Sequence, residues 1–280
     1  MRIGFVTCVE LGRACIDEAL DCGGTFEVLV TLRDDLAVDK SGRVHLDEIA
    51  ASQDTPLVKV RNINDPEAVD AIRSADLDWL FIVGWSQIAG PDVLSATRRG
   101  VLGMHPTLLP QGRGRASIPW AILKGLRETG VTLFKLDEGV DTGPILEQRH
   151  LAIEARETAT SLYRKVSDAH VALMREVWPR LLDDSITPRP QDDSSASTWP
   201  GRRPEDGEFS FAESTTDEVD RLVRALTHPY PGASVRIDDR VFRVWRGEPS
   251  EDVDDPRTFP TKDGHYRLLE TDPQLPINGA

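Results

Sequence analysis

Residues 103–144 contain, in order, the side-chain types that proton-transfer chemistry requires. His105 is followed directly by Pro106. A loop carrying Gly112-Arg113-Gly114-Arg115 comes next, then a stretch of helical spacing, an apolar strand, and finally Asp141-Thr142-Gly143. Imidazole is the side chain whose ordinary pKa lies nearest neutrality, and a carboxylate beside it orients the ring and favours its charged form. Alone, each signal is weak: a single His at a strand end is more often structural, and Asp-Thr-Gly reads as a turn. Paired at the rim of one sheet, they describe a general acid–base centre. Arg113 and Arg115 are candidates for an anionic ligand group, with a solvated loop as the plain alternative.

The elements around this segment say how it would be positioned. RIGFVTC, FEVLVTL, PLVKV, LDWLFIVGW, VLGMH and GVTLFKL read as strands, with helical patterns between them. That alternation predicts an α/β fold, a Rossmann-like and mostly parallel sheet. Ligands of such sheets sit beyond the carboxyl ends of the strands. His105 ends VLGMH and Asp141 follows GVTLFKL by four residues, so both are expected at one crevice. SLYRKVSDAHVALMREVWPRLLDD is a long amphipathic helix that closes the first domain, residues 1–185. Residues 186–204, rich in Pro, Ser and Asp and without periodicity, read as a linker. Residues 205–280 hold one helix and short alternating strands, which predicts a small β-rich, OB-like domain.

Composition excludes several classes. The 280 residues carry 33 basic and 47 acidic side chains, a formal net charge of −14, which argues against a nucleic-acid partner held through phosphates. No apolar run is long enough for a membrane span, and the first residues lack signal-peptide character, so no membrane and a cytoplasmic location are expected. Cys8, Cys15 and Cys22 form no CxxC pair and read as buried thiols; no His/Cys grouping has metal spacing, so no metal is expected. Neither a G-x-G-x-x-G fingerprint after the first strand, nor a P-loop, nor a G-x-S-x-G elbow occurs.

The run HPTLLPQGRGRASIPWAILKGLRETGVTLFKLDEGVDTGPIL resembles the formyltransferases that use 10-formyltetrahydrofolate. The resemblance covers the His-Pro-Ser/Thr-Leu-Leu-Pro run, the Arg-Gly loop, the Trp-bearing helix, Gly-Val-Thr and Asp-Thr-Gly. It extends weakly over residues 1–185 and resumes at Arg202–Ala233, where RRPEDGEF…RLVRALTHPYPGA is similar to the entry of the family's C-terminal domain. The resemblance implies a formyl transfer in which an amine attacks the formyl carbon and the folate nitrogen leaves. His105 and Asp141 would be the catalytic residues. Trp85, Ser86, Gln87 and Ile88 on one side, with Val140, Asp141 and Thr142 on the other, would bind the folate. Thr107, Arg113 and Arg115 would contact the acceptor. The family also places an oxyanion-donating Asn two residues before the His, where this chain has Gly103. Gln87, Thr107 or a backbone N–H would replace that donor; otherwise the reaction differs, or the chain binds without turnover.

Within the resemblance, residues 33–50, which correspond to a basic tRNA-binding insertion, are mixed and slightly acidic. The acceptor expected is therefore a small-molecule amine, foremost the amino group of a nucleotide-linked sugar. Methionyl-tRNA and hydroxyornithine are the alternatives. A homodimer is left open.

Overall fold

In the computed structural model, residues 1–36 and 42–275 are described; part of the 33–50 stretch and the last five residues of the C-terminal domain lie outside them. The main sheet contains β1 (Ile3–Val6), β2 (Val28–Leu32), β3 (Leu57–Val60), β4 (Trp79–Ile82), β5 (Gly100–His105), β6 (Glu128–Lys135) and β7 (Ile145–Ala152). Their order across the sheet is β3-β2-β1-β4-β5-β6-β7, and α1 (Glu10–Asp21), α2 (Asp47–Ser52), α3 (Pro66–Ser74) and α4 (Pro91–Leu94) alternate with the first five strands. The first five pair in parallel, and the chain reverses direction at β6, which lies antiparallel to β5. The Rossmann-like, mostly parallel sheet is thus present, with an antiparallel flank. β7 had no counterpart in the sequence pattern. ILEQRHLA mixes charged and apolar residues because it is an edge strand, with only Ile145 and Leu146 fully buried.

The chain forms two compact units. The first comprises Met1–Arg113, Gly130–His150 and Ser167–Ser197. Its strands β1, β2 and β4 are buried along their whole length, as expected for a sheet covered on both faces. Phe5 stacks on Phe81 with ring centroids 5.6 Å apart, and Trp178, from α6 (Ala159–Leu182), packs against Phe26 and Phe81. Each such fully buried side chain stabilises the fold by roughly 1.5–3 kcal/mol. Cys8 and Cys15 are buried, and burial pushes the Cys15 thiol up to about 12. Cys22 departs from expectation: it lies just past the end of α1 (Glu10–Asp21) and is half-buried.

The second unit comprises Gly114–Thr129, Leu151–Val166 and Thr198–Ala280. It holds α5 (Ser117–Leu123), α7 (Thr216–Leu226) and a five-stranded, mainly antiparallel sheet. The strands are β8 (Glu208–Phe209), β9 (Ala233–Ile237), β10 (Arg240–Pro249), β11 (Thr258–Pro260) and β12 (His265–Asp272), ordered β8-β9-β10-β12-β11. Thr215 and Glu218 close a reciprocal capping box at the start of α7, which fixes where that helix begins. Asp220 on this helix is buried and receives Arg156 and Arg224, each at 2.7 Å. No helix among the described residues is long and apolar enough to cross a membrane.

Candidate functional site

β5 runs through the middle of the first unit's sheet, pairing β4 on one side and β6 on the other. His105 is its last residue, 7% exposed, opposite Thr132 of β6. Because β6 is antiparallel, its carboxyl end, Lys135, lies beside Leu102 and not beside His105. The expected meeting of two parallel strand ends is therefore not how the site is built. The loop after Lys135 turns back, and it brings Asp141 Oδ2 to 3.5 Å from His105 Nδ1.

Two features make that return tight. Gly143 passes so close to β6 that a Cβ there would lie 1.7 Å from the Lys135 carbonyl oxygen, so only glycine fits. Asp141 takes a left-handed backbone conformation, φ 55°, which Asp tolerates better than most residues. Asp137 stabilises the turn, accepting from the Gly139 N–H at 3.1 Å and the Thr142 hydroxyl at 2.6 Å.

The other ring nitrogen decides the chemistry of the pair. His105 Nε2 lies 2.8 Å from the Gly112 carbonyl oxygen, which can only accept, so Nε2 carries the proton. Nδ1, facing Asp141, is then the nitrogen free to gain or lose one. At 3.5 Å the contact with Asp141 is longer than a well-formed hydrogen bond.

Gly103, two residues earlier on β5, is flanked by Leu136. A Cβ at position 103 would lie 2.7 Å from Leu136 Cδ2. Leu136 itself packs against the core beneath β4 and β5 and against Phe134 and Leu109. A branched apolar side chain thus occupies the space that a polar side chain at 103 would enter. Thr107 is 2% exposed, and its hydroxyl is buried with no hydrogen-bond partner among the described residues. A buried hydroxyl left unpaired costs free energy, which makes it a candidate donor to a bound group.

The segment after β4 also belongs to this unit. Trp85 is half-buried against Cys8 and Leu32, and its indole N–H donates to Gln87 Oε1 at 3.2 Å. Gln87 is committed on both sides: Oε1 also accepts from Ile63 N at 2.9 Å, and Nε2 donates to the Arg61 carbonyl at 3.0 Å. Ser86 is exposed, and Ile88 is 73% exposed. Val140, in the loop bearing Asp141, is 57% exposed. Two apolar side chains are thus presented to solvent from the two segments expected to bind a flat ring system.

The two arginines of the Arg-Gly loop part company. Arg113 is 9% exposed and donates to Gln191 Oε1 and Asp193 Oδ1. Arg115 falls in the second unit, where its N–H donates to the Trp199 carbonyl and its side chain is exposed. Sequence reasoning did not find Gln191, Ser197, Asp137 or Leu136. Asp137-Glu138-Gly139 carries a recognisable turn signal; the other three have none, since their partners are distant in sequence. Among the described residues no group of three or more His, Cys, Asp or Glu is placed to hold a metal ion.

Residues 11–178 match the formyl transferase family, and residues 202–272 match the formyl transferase C-terminal domain. Among solved structures, WlaRD, a sugar 3N-formyl transferase crystallised with dTDP and 5-N-formyl-THF, is similar with a TM-score of 0.72 at 16% identity, over 98% of this chain and 99% of that one. The N-formyltransferase of Helicobacter canadensis, in complex with folinic acid and dTDP-3-aminofucose, has the same TM-score, 0.72, at 16% identity, over 97% and 99%. HypX from Aquifex aeolicus, in complex with tetrahydrofolic acid, has a TM-score of 0.67 at 20% identity, over 97% of this chain but 44% of HypX. The chain thus spans less than half the length of HypX. At these identities the likeness establishes a shared fold.

Proposed function

Since the chain belongs to the formyl transferase family, we propose that it transfers a formyl group from 10-formyltetrahydrofolate to the amine of a small substrate, a nucleotide-linked amino sugar. The observation that carries this reading is the His105–Asp141 pair, with Nε2 fixed and Nδ1 facing the carboxylate. In this assignment the amine attacks the formyl carbon, and the pair takes the proton the amine loses. The tetrahedral oxyanion then collapses and expels the folate nitrogen, which is reprotonated. Thr107, with its unpaired hydroxyl, replaces the missing Asn side chain as an oxyanion donor.

We assign this chemistry to residues 1–185, with residues 186–204 as the connection and 205–280 as a smaller OB-like domain. The folate would lie between residues 85–88 and 140–142, against the exposed Ile88 and Val140. Of the two loop arginines, Arg115 has the exposed guanidinium that a diphosphate requires. The formal net charge of −14 supports a sugar acceptor over tRNA, and the sugar N-formyltransferases share this fold over their whole length.

The test mixes the protein, 10-formyltetrahydrofolate and a panel of amines: dTDP-linked amino sugars, methionyl-tRNA and hydroxyornithine. Tetrahydrofolate release with an amino sugar is expected; release only with tRNA or hydroxyornithine would replace the substrate assignment. A second reading, binding without turnover, is favoured by one observation, the Leu136 side chain lying where a donor at 103 would reach. Folate binding with no release for any amine would establish that reading.

A further inference from the structure

The segment that continues past α6 does more than connect. We propose that residues 189–197 hold the two halves of the His105–Asp141 pair in register, with Gln191 as the positioning residue for Asp141 and Ser197 for His105. The role in catalysis rests on the formyl-transfer reading above; the positioning itself does not.

The register comes first. Ile145 and Arg189 exchange two backbone hydrogen bonds, each 2.8 Å, so position 191 is set beside the loop that carries Asp141. Gln191 then bridges two partners of opposite kind. Arg113 can only donate, and it does so to Gln191 Oε1 from Nε at 3.1 Å and from Nη2 at 2.8 Å. The Asp141 and Gly143 carbonyls can only accept, and Gln191 Nε2 reaches them at 2.9 and 2.7 Å. These partners leave one orientation of the carboxamide, with its oxygen toward Arg113 and both N–H bonds toward the loop. The Asp141 carbonyl belongs to the peptide whose rotation is the ψ angle of Asp141. Holding it fixes the left-handed conformation that aims the carboxylate at His105.

Ser197 serves the other half. The 112–113 peptide donates its N–H to the Ser197 carbonyl at 2.9 Å and presents its own carbonyl to His105 Nε2 at 2.8 Å. The preceding N–H, Gly112, donates to Ser197 Oγ at 3.0 Å. Arg113 lies between the two halves, its guanidinium on Gln191 and Asp193 and its backbone on Ser197. No other side chain of similar size replaces Gln191. Glu would set a carboxylate against two carbonyl oxygens, and Leu would leave the buried Arg113 and both carbonyls without their partner.

The experiment uses the full chain with Gln191→Leu and Gln191→Glu, each also in an Asp141→Asn background. With the amine found by the panel, Gln191→Leu is expected to lower kcat about 10- to 100-fold, as a displacement on the order of 1 Å does at a reacting centre, and to leave KM for 10-formyltetrahydrofolate within about threefold. In the Asp141→Asn background the same substitution should cost little, because the group it positions is already disabled. The ratio of the Gln191→Glu rate to the native rate at the same pH should rise as pH falls, since a protonated carboxyl regains one donor for the loop; a general loss of packing would not respond that way. Amide resonances of Asp141, Thr142 and Gly143 are expected to shift in Gln191→Leu whether or not any amine turns over. Unchanged loop resonances, an unchanged kcat, or an equal loss in both backgrounds would overturn the proposal. Absent turnover in the native protein would instead overturn the formyl-transfer reading, and the resonances would still decide the positioning role.

Discussion

Each of the two compact units sets an aspartate beside cationic or ionisable partners, Asp220 buried and Asp141 half-buried, and the two are built to opposite ends. In the second unit Asp220 is gripped by Arg156 and Arg224 at 2.7 Å each, with the Tyr266 hydroxyl at 3.4 Å. Arg224 also donates to the Glu157 carbonyl at 2.7 Å, extending the network. In the first unit Asp141 meets His105 at 3.5 Å, on a left-handed backbone held from behind by Gln191. The first arrangement holds its carboxylate in short, charge-assisted bonds, and the second fixes its aspartate through the backbone, with the carboxylate 3.5 Å from the imidazole. The first is what a structural ion cluster requires; a pair that must pass a proton requires the second.

The sharpest way to break this contrast is to remove one member of each. His105→Ala should lower turnover by about 100- to 10,000-fold, the range a positioned acid–base group contributes, at a stability cost of about 1–3 kcal/mol for the Gly112 carbonyl left unpaired. Asp220→Ala should do the reverse: it strands Arg224, 11% exposed, beside an empty site and should cost about 3–5 kcal/mol of stability. Chemical denaturation and steady-state rates on both variants check this together. A stability loss in His105→Ala as large as that in Asp220→Ala, or an unchanged midpoint in Asp220→Ala, would erase the distinction.

A smaller effect is expected at Gly103. Asn there must displace Leu136 Cδ2, 2.7 Å from the new Cβ, so Gly103→Asn alone should not raise turnover. Combined with Leu136→Ala, which opens the space, it should raise turnover about tenfold, part of the 100- to 1000-fold that an oxyanion donor supplies. If the double variant gains nothing, the oxyanion is already fully served, and Thr107→Val should then lower the rate by a similar factor.

How far the sequence could carry this picture differs from residue to residue. The alternation of β-branched runs and helical spacing made the sheet legible, because burial on both faces writes a continuous apolar signal into β1, β2 and β4. β7 left no such signal, since an edge strand with mostly half-exposed residues mixes charge with apolar positions. His105 and Asp141 were legible as types, but their meeting depends on the reversal at β6, and nothing in GVTLFKL announces an antiparallel neighbour. Arg113 and Arg115 look alike in sequence; only the three-dimensional register of Gln191 and Asp193 buries one and leaves the other exposed. Residues 186–204 read as a connection because Pro, Ser and Asp lack periodicity, and the partners of Gln191 and Ser197 lie dozens of positions away.

The finest expected difference concerns acid. A saturated carboxylate in the second unit should register as pH-dependent stability. Asp255 is the clearest such group: the Arg257 side chain, followed by the Arg257 backbone N–H, holds its pKa down to about 2. An unfolded Asp titrates near 3.9, so the folded state binds this proton less readily than the unfolded state. The stabilisation is therefore complete above about pH 4 and is lost as pH falls toward 2. Arg257→Ala removes the larger cause and keeps the backbone N–H. Urea midpoints of native and Arg257→Ala protein should converge near pH 2, separate between pH 2 and 4, and stay a constant distance apart up to pH 7. Parallel curves over that whole range would mean that Arg257 contributes through packing alone, and that a charge cluster in this unit is saturated without being linked to protons.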